Sequence, residues 1–129
     1  MVAKPRLESK NFFDDEAFQV MQNLMQENFG RFLKIYINST TELIQKIESN
    51  LNKNIVDSNV VIAAHTIKSS SLQIGAVYLS DLAQEFESIA AKNCDKVNTS
   101  EQKQLMNLKN EMISSFAEVK KILSKKNAR

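Results

Sequence analysis

The chain has 129 residues, 25% of them charged and 43% hydrophobic, which suits one soluble domain rather than two. Two glycines and one proline leave little room for sandwiches, barrels or hairpin-rich folds, and there is no Gly-rich phosphate loop. A net charge of +2 from 17 basic and 15 acidic residues is too balanced for a nucleic-acid surface, and a single cysteine excludes an internal disulfide.

Residues 1–10 hold Pro5 and no periodicity, so they read as a flexible lead-in. A helical domain is expected over 11–125 and a basic tail over 126–129. Phe13, Ala17, Val20, Met21 and Leu24 recur at helical intervals, with Asp14 and Asp15 as candidate N-caps. Phe29, Phe32, Leu33, Tyr36, Leu43, Ile44, Ile47 and Leu51 continue the period in a longer helix, and Gly30 near the junction marks a break or bend. Asn50 to Asn54 reads as a loop. Asp57 or Ser58 caps a third helix whose inward stripe is Val56, Val60, Ala63, Ile67, Ser70 and Ile74, and Gly75 stops it. A fourth helix carries Leu79, Leu82, Ala83, Phe86, Ile89 and Ala90. After a polar loop from Lys92 to Ser100, a last helix carries Leu105, Leu108, Met112, Phe116, Val119, Ile122 and Leu123. Short connections make successive helices antiparallel neighbours. The prediction is an all-α protein, an antiparallel four-helix bundle with a short N-terminal helical extension.

Smaller features fit that frame. Phe12, Phe13 and Phe18 are expected to cap one end of the bundle. Lys120, Lys121, Lys125, Lys126 and Arg129 suit the negative end of a helix dipole. Cys94 lacks a basic neighbourhood and reads as an inert thiol, and the Asn38 and Asn98 sequons read as chance matches. No apolar run approaches the roughly 20 residues that span a bilayer, and the N-terminus lacks the apolar core of a secretory signal. A cytoplasmic, free-standing chain with no membrane contact is expected.

The third helix holds the anomaly. At about 100° per residue its apolar stripe points one way and His65 close to the other, so the one histidine belongs on the solvent side. Its surroundings are not those of an ordinary bundle surface. Val61 and Leu72 share its face, Ile62 lies on the flank, and Ala64 and Ser69 add little bulk. An exposed nucleophile framed by apolar and small side chains is what a docking patch needs. Lys68, three residues on, lies within side-chain reach. Neutral imidazole is a nucleophile near pH 7 and forms covalent phosphoryl intermediates. Phosphoryl transfer needs mainly positioning and compensation of negative charge, which Lys68 can supply in part. His65 lies ten residues before Gly75 and Glu87 twelve after it, so in an antiparallel pair the two stand at similar height.

The run from His65 through Lys68, Ser69, Ser70 and Gly75 to Ala76 resembles the signature of histidine-containing phosphotransfer domains of two-component phosphorelays. The pattern is roughly H-x-[LI]-K-[GS]-[SA]-[SA]-x-x-[LIV]-G-A, and the helix pattern from Phe13 to Leu123 is also similar. The resemblance implies that His65 is the phosphoacceptor, that Lys68 assists electrostatically and that Ser69, where the family often has glycine, keeps the approach open. Gly75 would shape the turn. Val61, Ile62, Ala64, Ser69, Leu72 and Gln73 would meet the partner. Glu87 falls where the family often places a Gln or Glu that bonds the imidazole; a solvated carboxylate is the other reading. The implied partners are response-regulator receiver domains and a hybrid sensor histidine kinase, with the chain a monomer that needs no cofactor. The Mg2+ would sit on the receiver. Such a protein carries a phosphoryl group and is not a complete kinase. A bundle that docks a receiver or kinase and blocks it without being phosphorylated is the alternative, and a dimerisation scaffold a third.

Overall fold

Two aspartates start two of the helices at places where the sequence offers caps. Asp14 Oδ1 accepts from the backbone N–H of Glu16 and Ala17 at 3.0 and 3.2 Å, and Asp57 Oδ1 from Asn59 and Val60 at 3.1 and 3.3 Å. A computed structural model describes residues 12–94 and 99–127. It contains α1 (Asp15–Met25), a 3-10 turn (Gln26–Asn28), α2 (Phe29–Asn52), α3 (Ser58–Ile74), α4 (Val77–Lys92) and α5 (Thr99–Asn127). The 1–10 lead-in, the 95–98 part of the second loop and Arg129 lie outside the described residues.

Helices α2 to α5 form a ring, each packed on the next and α5 closing on α2, while α1 lies against α2 and α3. Cross-helix hydrogen bonds give the directions. Tyr36 meets Ser71, Ser80 meets the Lys68 carbonyl, Gln102 meets the Leu51 carbonyl and Lys109 meets Glu48. Leu51 with Gln102 and Glu48 with Lys109 make α2 and α5 antiparallel, and Lys68 with Ser80 and His65 with Glu87 do the same for α3 and α4. The short 53–57 connection turns α3 back along α2, so α4 and α5 also run in opposite directions. The all-α bundle with a helical extension is therefore the architecture observed. Its centre is filled by Ile47, Leu51, Ile67, Ile74, Leu79, Leu82, Phe86, Leu105, Met112 and Leu123, all sealed from solvent. Among the described residues no helix is long and apolar enough to cross a membrane.

Gly75 ends α3 with φ 99°, a left-handed conformation that an L side chain resists. The Asp14 N–H donates to its carbonyl at 2.7 Å, and a Cβ at Gly75 would collide with the Asp14 carbonyl oxygen. The start of α1 is thus fastened onto the turn between α3 and α4. Phe13 and Phe18 are buried there, and Phe12 lies beside Tyr78 with ring centroids 5.6 Å apart. Lys126 pairs with Asp15 and lies 5.7 and 5.4 Å from the ring centroids of Phe13 and Phe18. Helix α5 therefore runs through the first residues of the expected tail, and Lys126 belongs to the packed end of the bundle.

Three expectations change. Gly30 is not the break: it is exposed inside α2 with nothing within 4 Å of a Cβ there. The chain turns instead at Gln26, whose φ is 50°. Ser70 is not on the inward stripe; its hydroxyl bonds the Thr66 carbonyl at 2.9 Å, and Ser71 takes the buried position. One step along a helix is about 100° of rotation, and a run of serines cannot reveal which one faces in. On α1, Val20 and Leu24 are 54% and 72% exposed, so that helix buries mainly Phe18.

The buried Ser71 hydroxyl is 2.8 Å from the Tyr36 hydroxyl, and burial pushes the Tyr36 phenol up to about 12 against the lowering effect of its hydroxyl partners. A raised folded-state value gives stability that is whole below the unfolded value near 10 and is lost as pH rises towards 12. Tyr36→Phe should cost about 1–2 kcal/mol at pH 7, because Ser71 loses its partner. It should also remove part of the alkaline decline, which urea titrations at pH 7 and above pH 10 will measure.

Candidate phosphotransfer site

His65 stands on α3 with its side chain 56% exposed, outside the core as the wheel geometry expects. Glu87 reaches it from α4. Glu87 Oε2 lies 3.0 Å from His65 Nδ1, and Glu87 Oε1 lies 2.9 Å from Lys68 Nζ. One carboxylate therefore holds both site residues of α3. The short Gly75 turn sets the heights of the two helices, and the Ser80 hydroxyl, donating to the Lys68 carbonyl at 2.9 Å, pins α4 to α3 beside the site.

Partial burial pushes the Glu87 carboxyl upward, but hydrogen bonds and charge from Lys68 and His65 outweigh it and hold the group below the usual carboxylate value. An ionised carboxylate only accepts hydrogen bonds, so Nδ1 is the donor. In the neutral ring the lone pair then lies on Nε2. Glu87 thus lies within hydrogen-bond distance of the imidazole rather than pointing into solvent alone.

The expected docking residues divide. Ile62 and Leu72 are 61% and 57% exposed, Ser69 and Gln73 are exposed, and Val61 is half-buried. Ala64 is fully buried, which corrects its assignment to the partner face. One residue before His65 the helix has turned inward, so this small side chain packs in the core and cannot touch a partner. Ser80 was missed by the motif reading, although a polar residue set among the apolar positions of α4 was its signal. Leu24, Val20 and Ile35 add exposed apolar side chains on α1 and α2. Among the described residues no group of three or more His, Cys, Asp or Glu is placed to hold a metal ion.

The ring of antiparallel helices and the solvent-facing imidazole define a helical bundle built to present one histidine. Residues 31–119 match the family model described as Hpt domain, a span from α2 into α5 that contains His65, Lys68 and Glu87, and the chain belongs to the Hpt domain family. The family works in phosphorelay histidine phosphotransfer, and its members interact with receiver domains and kinases. No curated protein and no solved structure gives a match.

Proposed function

We propose that the chain relays a phosphoryl group between the phospho-aspartates of two receiver domains through Nε2 of His65. Exposure of the imidazole with Nδ1 held by Glu87 is the observation that carries this reading. The Nε2 lone pair attacks the phosphorus of an aspartyl phosphate. The N–P bond forms, the P–O bond to the aspartate breaks, and the aspartate leaves as a carboxylate. The ring, still protonated on Nδ1, takes on positive charge beside Glu87. A second receiver reverses these steps: its aspartate attacks the phosphorus and the electron pair of the N–P bond returns to Nε2.

Lys68 supplies a positive charge within reach of the transferred oxygens once the phosphoryl group attracts its ammonium. The Mg2+ and the accepting or donating carboxylate come with the receiver, so close approach is essential. Ile62, Ser69, Leu72 and Gln73 provide the surface for it, with Val61 at the margin. A monomer acting in the cytoplasm, serving a hybrid sensor histidine kinase and a response regulator, fits this role.

The test is transfer from a phosphorylated receiver domain. Label appearing on the wild-type chain, lost in acid and retained in alkali, is the expected result. A receiver that binds without transferring label would sink the relay and favour the docking-only module.

A further inference from the structure

We infer that the negative charge of Glu87, beyond its hydrogen bond, sets the lifetime of phosphorylated His65 by keeping the Nδ1 proton on the ring to higher pH. The inference rests on the relay reading and adds the regulation of that site. An amide at position 87 could also accept a hydrogen bond from Nδ1–H and fix the same tautomer. What an amide cannot do is offset charge, and the phosphorylated ring is where charge matters.

When Nε2 carries the phosphoryl group, the ring is cationic with Nδ1 protonated and neutral without that proton. Loss of phosphoryl to water breaks the N–P bond. The bonding pair returns to Nε2, and the water oxygen binds phosphorus and releases its proton to solvent. If Nδ1 is protonated, the leaving group is neutral imidazole; if not, it is an imidazolate, far more basic and a poor leaving group. The same holds when a receiver aspartate is the acceptor. The fraction of molecules ready to give up the phosphoryl group therefore follows the protonation of Nδ1.

Glu87 from α4 is 3.0 Å from Nδ1, and Lys68 from α3 is held by the other carboxylate oxygen at 2.9 Å. Two ion pairs among the described residues meet at Glu87, one from His65 and one from Lys68. An anion in contact with Nδ1–H favours the cationic ring, and partial screening by Lys68 reduces the effect without reversing it. With glutamine at this position the anion is gone and the Lys68 ammonium loses its carboxylate partner, and both changes favour loss of the proton. The carboxylate thus makes the phosphohistidine short-lived and ready to transfer over a wider pH range.

The experiment loads the full chain with phosphoramidate, a small-molecule donor to histidine, and follows the phosphohistidine by 31P NMR from pH 5 to 10. Wild type, Glu87→Gln, Lys68→Met and the double variant are compared, each checked for native helicity by circular dichroism. The midpoint of the 31P shift and of the fall in hydrolysis rate should be lower in Glu87→Gln than in wild type by about one pH unit. Above both midpoints its phosphohistidine should last about tenfold longer. The double variant should show the same direction of shift relative to Lys68→Met, which separates the carboxylate from the freed ammonium. A purely structural role for Glu87 would alter the extent of loading but leave the midpoints where they are. Coincident midpoints in wild type and Glu87→Gln overturn the inference alone; failure of wild type to load on His65 overturns the relay reading and the inference together.

Discussion

His65→Gln should lower the rate of transfer from a phosphorylated receiver by at least about a thousandfold, to background labelling. Glutamine retains polar contact with the site but has no lone pair of comparable basicity, so the N–P bond cannot form. The same substitution should leave the thermal midpoint within about 2 °C of wild type, because the imidazole is 56% exposed and contributes no core packing. That combination distinguishes a nucleophile from a structural histidine. Binding to the receiver should also survive, since the surface of Ile62, Ser69, Leu72 and Gln73 is untouched. Equal labelling of the two proteins, measured by quenched time courses at matched receiver concentration, would remove His65 from the mechanism.

How far the sequence leads here depends on whether a feature is local. The caps at Asp14 and Asp57 and the stop at Gly75 are legible because each is a short-range match between a residue and a backbone conformation. The outward direction of His65 is legible because a wide apolar stripe averages out small errors in helical phase. Ser70 and Ser71 were exchanged because nothing in a run of serines reports phase, and Tyr36, the partner that selects Ser71, lies 35 residues away. Ala64 was misplaced for a related reason: a small apolar residue at the boundary suits both the core and the rim. Glu87 lay between these cases. Its height opposite His65 followed from the turn at Gly75, but its contact with the ring depends on the rotation of α4, which Ser80 and the packing against α3 and α5 determine. The break at Gln26 carries no signal of its own, because glutamine rarely takes a positive φ and Gly30 stood nearby as the more plausible residue.

The two glycines give the largest contrast in stability. Gly75→Ala should cost about 3 kcal/mol and lower the thermal midpoint by about 10 °C. The first part of that cost is local. At φ 99° a side chain meets its own backbone, worth about 1 kcal/mol. The larger part is tertiary, because the new methyl group would overlap the Asp14 carbonyl oxygen, and the Asp14 N–H to Gly75 carbonyl bond at 2.7 Å allows no retreat without loss. Backing away would loosen the start of α1, expose Phe13 and Phe18, and draw Asp15 from Lys126. It would also disturb the turn that sets α4 against α3. Phosphotransfer should therefore fall together with stability, through a weakened contact between Glu87 and His65. Gly30→Ala makes the opposite prediction. Its site is exposed, helical and open, so alanine should add about 0.5–1 kcal/mol by restricting the unfolded chain and favouring the helix. Urea titrations of both variants decide the matter. If Gly75→Ala is no less stable than Gly30→Ala, the start of α1 is not seated on the turn, and the turn does not owe its shape to glycine.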